Sequence, residues 1–253
     1  MADQSPLAGK IALVTGGSRG IGAAICAHLA RAGAIVLVNY SSSESAARAV
    51  ADGIKAGGGE AHLLRANVSD SKQVEALFKQ IDKSHGSRID ILVNNAGVYI
   101  PKPLAETTEA DYDKTFDVNV KSLFLVTKQA LDRLPDGGRI INIGSVVGER
   151  VPFPGASVYA ASKFAVAGFT RAWSRELAPR QITVNNVQPG PIDTDMNPAD
   201  ADKNPAADFM RNIIPLGRYG TADEVAALVA FLASPQAAFI TGASVAIDGG
   251  IIA

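Results

Sequence analysis

The chain has 253 residues, of which 47% are hydrophobic and 19% are charged, and its formal net charge is −1. This composition is typical of a globular protein with a sizeable core, and the near-neutral charge disfavours nucleic acid or an anionic membrane as partner. The single cysteine, Cys26, excludes an intramolecular disulfide, and His28, His62 and His85 lack the spacing of a zinc site, so we predict no metal. The polar N-terminus and the absence of a long apolar run lead us to expect a cytoplasmic protein.

Short apolar runs alternate with amphipathic segments along the whole chain, as in the helical spacing of Val74, Leu77 and Ile81. Parallel strands need crossover helices and are buried on both faces, which explains why the runs are continuously apolar. We therefore predict one α/β domain over residues 1–253, a doubly wound Rossmann fold with a seven-stranded parallel sheet and helices on both faces. The predicted strands are Ile11–Thr15, Ile35–Asn39, His62–Val68, Ile89–Asn94, Arg139–Gly144, Ile182–Val187 and Ser244–Ile247.

The first predicted strand leads into a glycine-rich segment, residues 15–22, that opens an alanine-rich helix. Glycines there let the backbone approach a pyrophosphate, whose charge the N–H groups at the start of a helix attract. The spacing Gly-x-x-x-Gly-x-Gly differs from the general fingerprint Gly-x-Gly-x-x-Gly, so a turn without a ligand stays open as an alternative. The candidate dinucleotide-binding residues of this segment are Gly16, Ser18, Arg19, Gly20, Ile21 and Gly22.

The end of the second predicted strand indicates which dinucleotide binds. An NAD site usually has an acid about 20 residues further on, which binds the ribose 2′-hydroxyl, whereas Tyr40 stands at that position here. Arg19 and the following hydroxyls favour the 2′-phosphate of NADP(H), and Glu44 argues against it. The alternative is that Arg19 is a solvated loop residue and the serines cap the next helix. The candidate residues at this strand end are Asn39, Tyr40, Ser41 and Ser42.

Tyr159 and Lys163 have a spacing that places a phenol and an ammonium on one face of a helix. The pair alone is only suggestive, because it also arises by chance. Ser145 adds a second observation, since it follows a predicted strand, and open parallel sheets bind ligands at the carboxyl ends of their strands. Taken singly, these residues also fit an interface aromatic, a solvated helix charge and a strand-end cap.

These motifs, in this order, resemble the short-chain dehydrogenase/reductase family from about residue 10 to residue 250. Residues 15–22 match the family's Thr-Gly-x-x-x-Gly-x-Gly motif, and residues 94–97 match its Asn-Asn-Ala-Gly motif. The catalytic residues that the resemblance implies are Asn119, Ser145, Tyr159 and Lys163. The further cofactor contacts that it implies are Asn67, Val68, Asn95, Ala96, Gly97, Tyr159, Lys163, Pro189, Gly190, Ile192 and Thr194.

The resemblance also implies a role for each catalytic residue. Tyr159 acts as general acid toward a carbonyl oxygen, or as general base in the reverse direction. Lys163 lowers the pKa of the phenol by its charge and binds the nicotinamide ribose. Ser145 holds the substrate oxygen, and Asn119 holds a water in a proton relay behind the lysine. Asn67 stands where many relatives have an aspartate, and its amide can still accept a bond from the adenine amino group.

The family's layout implies an apolar pocket beside these residues, closed by a lid over residues 195–215. The lid segment is long, polar at its centre and interrupted by prolines, which is typical of a loop that closes over substrate. We therefore expect a hydrophobic ketone as substrate. The expected pocket walls are Tyr99, Val146, Val147, Val151 and Phe153, and the expected lid residues are Met196, Phe209, Met210 and Ile213.

We predict an NADP(H)-dependent carbonyl reductase or alcohol dehydrogenase. One alternative is a 3-oxoacyl-carrier-protein reductase, which would dock an acidic carrier protein on residues such as Arg180, although Asp136 disfavours this. A catalytically silent nucleotide-sensing protein is the alternative from another class, but it would be expected to have lost a catalytic residue. A methyltransferase would explain the glycine-rich segment and not the Tyr–Lys pair.

By resemblance we also expect a homotetramer. The helix that carries Tyr159 has more apolar surface than its contact with the sheet requires, which indicates a partner helix. The residues that provide this surface are Phe164, Val166, Phe169 and Trp173.

Overall fold

A computed structural model describes residues 5–253. Strands β1 to β7 are Ile11–Val14, Ile35–Tyr40, Glu60–Arg65, Ile91–Asn94, Arg139–Ile143, Thr183–Pro189 and Ser244–Ile247. Helices α1 to α8 are Gly20–Arg31, Glu44–Ala56, Ser71–His85, Glu109–Phe116, Ser122–Ala130, Ser157–Glu176, Ala207–Ile213 and Ala222–Ala233. Short 3₁₀ helices cover Leu104–Glu106, Val146–Gly148, Ala178–Arg180 and Pro235–Ala237.

The seven strands form one parallel sheet, as predicted, and their order in it is β3-β2-β1-β4-β5-β6-β7. The order reverses between β1 and β4, and such a switch point leaves a crevice at the carboxyl ends of the strands. One predicted strand was placed wrongly: β3 is Glu60–Arg65 and not His62–Val68. The reason is that β2 ends at Tyr40, which pairs with Arg65, so that residues 66–68 have no strand to pair with.

Helices cover both faces of the sheet, which buries successive residues of a strand on opposite sides. In β1, Ala12 and Val14 pack with α1, α2 and α8, whereas Leu13 packs with α3 and α5 on the other face. All three side chains are fully buried. The central strands are therefore apolar at every position, as strands buried on both faces must be.

A buried polar chain crosses the second of these faces. The Asn94 side-chain amide donates to Asn142 Oδ1 and to Thr127 Oγ1, both at 2.9 Å, and Asn142 Nδ2 donates to Thr170 Oγ1 at 2.9 Å. These bonds join β4 and β5 to α5 and α6. Because buried hydrogen bonds are costly to break, these bonds hold α6 against the sheet.

Two further findings concern residues 5–253. None of the helices in this part of the chain combines the length and the apolarity that a bilayer crossing requires. No three His, Cys, Asp or Glu side chains of the same residues are arranged to hold a metal ion. Cys26, on α1, is fully buried beneath the glycine-rich segment, and its thiol donates to the Gly17 carbonyl at 3.8 Å.

Candidate active site

The glycine-rich segment turns sharply between β1 and α1. Gly16 has a φ of +63°, a region that side chains rarely adopt. A Cβ at Gly22 would lie 2.2 Å from the Gly16 carbonyl oxygen, so the helix can approach the turn this closely only with glycine there. No side chain caps the first turn of α1. Its N–H groups are therefore available to an anion at the positive end of the helix.

Side chains from neighbouring strands hold this turn in place. The buried Asn39 accepts from Gly16 N at 3.4 Å and donates to the carbonyls of Leu64 and Ala66, each at 3.1 Å. The Asn39 amide therefore bonds to other parts of the protein. Asn39 lies at the cavity wall, as the predicted cofactor contact requires, but its side-chain amide is already used within the protein. On the other side, Thr15 Oγ1 accepts from Asn95 N at 2.9 Å, and Asn95 Nδ2 donates back to the Thr15 carbonyl at 2.9 Å.

The end of β2 presents hydroxyls and no carboxylate to the same cleft. Tyr40, Ser41 and Ser42 line it, and the exposed Arg19 belongs to the same lining. Glu44, which argued against NADP(H) in the sequence, does not line the cleft. Its carboxylate instead accepts from Arg48 Nη2 at 2.7 Å, one turn further along α2.

Tyr159 and Lys163 lie on α6, as the spacing predicted, and the Lys163 ammonium lies near the Tyr159 ring. Lys163 Nζ donates to the Ile143 carbonyl at 2.9 Å and lies 5.5 Å from the centroid of the Tyr159 ring. Ser145 lies two residues after the end of β5, and its hydroxyl accepts from Val147 N at 3.4 Å. A Cβ at Gly148 would lie 2.7 Å from the Lys163 carbonyl oxygen. A glycine is therefore needed for α6 to pack this closely.

The expectation that Lys163 lowers the pKa of Tyr159 is wrong for this structure. Burial raises the pKa of the phenol to about 12, and the Ser145 hydroxyl only partly opposes this rise. Burial also lowers the pKa of the Lys163 ammonium to about 8. The physical reason is that both groups lose water, which disfavours the charged form of each, while the ammonium is bonded to a neutral carbonyl.

Asn119 lies in a π-helical turn, Asp117–Lys121, that interrupts the path from α4 to α5. Such turns are frequent at functional sites. Its side chain brackets Val98: Oδ1 accepts from Val98 N at 2.8 Å, and Nδ2 donates to the Val98 carbonyl at 3.0 Å. Nδ2 also donates to Ser162 Oγ at 3.0 Å. Asn119 thus ties the segment after β4 to the helix that bears Tyr159 and Lys163.

Most of the predicted site residues line one cavity, which has a volume of about 600 Å³. Of the predicted catalytic residues, Ser145, Tyr159 and Lys163 line it, whereas Asn119 lies behind its wall. The predicted cofactor residues that line it are Gly16, Ser18, Arg19, Gly20, Ile21, Gly22, Asn39, Tyr40, Ser41, Ser42, Asn67, Val68, Asn95, Ala96, Gly97, Tyr159, Lys163, Pro189, Gly190, Ile192 and Thr194. Asn67 Oδ1, the acceptor expected for adenine, accepts from Ser69 Oγ at 2.8 Å.

The end of the cavity beside Tyr159 has mostly apolar walls, and the predicted wall was partly wrong. Val151 and Phe209 are exposed and lie outside the lining, because each is on the outer side of its segment. Ile213 packs behind the wall. The predicted residues that line this end are Tyr99, Val146, Val147, Phe153, Met196 and Met210.

Ile251 is one of several lining residues that the sequence analysis missed, with Val98 and Val118 among the others. It follows β7, is buried, and packs in one cluster with Val147 and Ile214. No motif marks it, since its place depends on how β7 ends beside the sheet. The Gly249 carbonyl accepts from Leu216 N at 3.1 Å, and this bond joins the C-terminal segment to the end of the predicted lid.

The predicted lid is less of a loop than the sequence suggested, because it contains α7. Its turns are tied down by Asn204, whose Nδ2 donates to Asn197 Oδ1 and to the Pro198 carbonyl, each at 3.0 Å. Asp193 accepts from Ala199 N at 2.9 Å and ties the start of the segment to the strand end.

Comparison with known proteins gives consistent matches over nearly the whole chain. The family model described as enoyl-(acyl carrier protein) reductase matches residues 16–252. The cyclic-di-GMP-binding biofilm dispersal mediator protein of Escherichia coli (strain K12) is 42% identical over 241 residues, covering 95% of this chain and 96% of that protein. A 3-oxoacyl-[acyl-carrier-protein] reductase of Synechocystis sp. is 45% identical over 251 residues, covering 97% and 98%. The structure of a short chain dehydrogenase from Burkholderia cenocepacia J2315 in complex with NADP superposes with a TM-score of 0.94 at 46% identity, covering 98% of this chain and 100% of that chain.

Proposed function

The chain belongs to the short-chain dehydrogenase/reductase family of oxidoreductases, and on this basis we propose that it uses NADP(H) to reduce a hydrophobic ketone to a secondary alcohol. The observation that carries the proposal is the single cavity. At one end it has the glycine turn before α1, and at the other it has Ser145, Tyr159 and Lys163 among apolar walls. A dinucleotide and a small ketone therefore have adjoining places in one cleft.

The cleft has the features that a dinucleotide requires. A side chain at Gly22 would collide with the turn at Gly16, and the uncapped first turn of α1 offers N–H groups to a pyrophosphate. The strand ends on either side carry the remaining candidate contacts, with Asn67 at the adenine end and Ile192 and Thr194 at the nicotinamide end.

The preference for NADP(H) over NAD(H) is proposed from the end of β2. Arg19 is exposed at the cleft, where its guanidinium suits a 2′-phosphate, and Tyr40 stands where an acid would bind the ribose of NAD. The nearby carboxylate, Glu44, is neutralised by Arg48. The structural neighbour with NADP bound supports a nicotinamide cofactor of this kind.

The reaction follows from the chemistry of the three residues at the catalytic end. The bound nicotinamide supplies the hydride. Tyr159 donates a proton to the carbonyl oxygen as general acid; a phenol whose pKa is raised to about 12 is protonated near neutral pH, which is the form that this donation needs. Ser145 donates a hydrogen bond to the same oxygen. Lys163 would bind the ribose of the nicotinamide, as the resemblance implies, and Asn119 keeps the Val98 segment and α6 in place.

A 3-oxoacyl-carrier-protein reductase is a second candidate, because the Synechocystis relative bears that name. Its docking surface is not supported by Arg180. The guanidinium is paired with Asp136, with Nε 3.1 Å from Oδ1, and its other nitrogens donate to the carbonyls of Leu131 and Leu134. The Escherichia coli relative is named for binding a cyclic dinucleotide, and a silent nucleotide sensor is therefore the third candidate.

The assembly and location are also proposals. Phe124 and Phe164 are exposed apolar residues, and the Phe169 ring stacks with those of Phe124 and Trp173, at centroid distances of 6.4 and 4.6 Å. Val166, which was expected on this surface, is instead fully buried in the monomer. This surface on α5 and α6 fits contact with a second copy in a homotetramer, and elution at the monomer mass in size-exclusion chromatography would contradict that. The proposed location is the cytoplasm, where a reduced NADP pool would favour carbonyl reduction.

The proposed function is tested by the loss of NADPH absorbance, and separately of NADH absorbance, on addition of hydrophobic ketones, 3-oxoacyl thioesters and sugars. We expect faster oxidation of NADPH by ketones, and a loss of about 10²- to 10⁴-fold in turnover in Tyr159→Phe, since that variant lacks the proton donor. Tight NADPH binding without turnover of any substrate would favour the silent sensor, and turnover restricted to the thioesters would favour the second candidate.

A further inference from the structure

A second phenol stands beside the catalytic one. The ring centroids of Tyr99 and Tyr159 are 4.8 Å apart, and the two ring planes are tilted by 56°. Tyr99 comes soon after β4 and lines the cavity. Its backbone is held by its neighbour Val98, which is bonded to Asn119 through both its N–H and its carbonyl. Hydrogen bonds therefore hold the backbone next to Tyr99 in place.

The Tyr99 hydroxyl has no role within the protein. Among residues 5–253 no group forms a hydrogen bond with it, and burial, the sole cause acting on its pKa, raises that pKa. Tyr219, in the same part of the molecule, differs because its hydroxyl accepts from Asn204 Nδ2 at 3.4 Å. Tyr99 is only partly buried and lines the cavity, so its hydroxyl remains accessible there. Such a group is well suited to bind a ligand.

The surroundings of Tyr99 limit what it could contact. The walls nearest the catalytic end include Val147, Phe153 and Met210, which offer no hydrogen bond. Two charged residues, Lys114 and Asp195, also belong to the lining, but both are exposed at its rim. The Tyr99 hydroxyl is thus a polar group of the cavity, on the ring beside Tyr159, that the proposed mechanism leaves unused.

We infer that Tyr99 is a specificity-determining residue that donates a hydrogen bond to a second oxygen of the substrate, while Tyr159 and Ser145 bind the reacting carbonyl oxygen. This inference rests on the proposed function and narrows it. The adjacency of the two rings suits oxygens on neighbouring or next-neighbouring carbons. The substrate class is therefore a 2-oxo or 3-oxo ester, or a ketone of similar oxygen spacing, with an apolar remainder.

The test compares Tyr99→Phe with the wild type on two ketones of similar size, ethyl 3-oxobutanoate and 2-hexanone, with NADPH absorbance as the readout. Phenylalanine keeps the ring beside Tyr159 and removes only the hydroxyl. For the oxo ester we expect kcat/KM to fall about 5- to 20-fold, mainly through KM, since a hydrogen bond made equally in ground and transition states is lost. For 2-hexanone we expect a change of less than about threefold.

Tyr112→Phe is the matched control, because it deletes a phenol hydroxyl from a residue that is exposed on α4 and absent from the cavity lining. It should leave both ketones unchanged. The melting temperature and the Kd for NADPH of Tyr99→Phe should equal those of the wild type, which a merely structural role would not allow.

The experiment distinguishes a failure of the role of Tyr99 from a failure of the proposed function. An equal loss on both ketones, or no loss on either, with wild-type turnover intact, would overturn the role of Tyr99 and leave the proposed function standing. If the wild-type enzyme oxidised NADPH with neither ketone nor any other carbonyl compound, both proposals would fall together.

Discussion

The two ends of the cavity are held together by different forces. At the dinucleotide end, hydrogen bonds from Thr15, Asn39 and Asn95 fix the glycine turn, and each of these residues lies at the end of a neighbouring strand. At the substrate end, Val147, Ile214 and Ile251 meet through apolar contact, although they are far apart in the chain. The comparison shows that directional bonds near strand ends hold the first end, whereas at the second end apolar packing between distant segments forms the wall that faces the substrate.

The largest expected effect comes from a substitution in the glycine turn at the dinucleotide end. In Gly22→Ala the new Cβ would lie 2.2 Å from the Gly16 carbonyl oxygen and 2.5 Å from Asn95 Nδ2. We expect a loss of about 1 to 3 kcal/mol in the free energy of unfolding, and NADPH affinity about 10- to 100-fold weaker, measured by urea unfolding and fluorescence titration. Gly53→Ala on α2, whose new methyl would meet nothing within 4 Å, is the control and should stabilise the fold by about 0.5 to 1 kcal/mol. Normal NADPH binding by Gly22→Ala would refute the rigid-turn account.

The next effect concerns Lys163, where the two ends meet. Burial lowers the pKa of its ammonium from 10.5 to about 8, so between these values the unfolded chain holds a proton that the folded chain lacks. The free energy of unfolding of the cofactor-free protein should therefore rise with pH in this window, by about 2 kcal/mol between pH 8 and 10. Below about pH 8 both states hold the proton and this dependence ends.

Urea unfolding at a series of pH values checks this, with Lys163→Met as the variant. We expect the variant to lose the rise between pH 8 and 10, while Lys79→Met, a matched change on the exposed face of α3, keeps it. The raised pKa of Tyr159 acts in the opposite direction only above about pH 10. A slope that survives in Lys163→Met would show that another group causes it.

The smallest expected effect concerns the apolar end. Ile251→Ala removes part of a cavity wall without touching any proton donor. We expect kcat/KM for a hydrophobic ketone to fall about tenfold, because lost apolar contact in a pocket weakens discrimination by this order, while the Kd for NADPH is unchanged. Val151→Ala, at an exposed position outside the lining, should alter neither. Equal effects of the two variants would mean that Ile251 does not shape the pocket.

The same contrast explains what could be predicted from the sequence. The parallel sheet follows from the alternation of apolar runs and amphipathic segments, and the residues of the dinucleotide end follow from local motifs at strand ends. Phe209 was wrongly placed in the pocket, because which side of the short α7 faces inward depends on the packing of the whole segment. Ile251 has no motif at all, and the pKa of Tyr159 depends on burial, which a sequence pattern does not report.

The close approach of Gly148 to the Lys163 carbonyl has a consequence for laboratory evolution of this enzyme. Val147 and Phe153, on either side of it in the chain, line the cavity and can be randomised together to change which ketones fit. Any side chain at position 148 would instead displace the turn of α6 that carries the lysine. A mutant library for new substrates should vary the pocket wall on both sides and keep this one glycine constant.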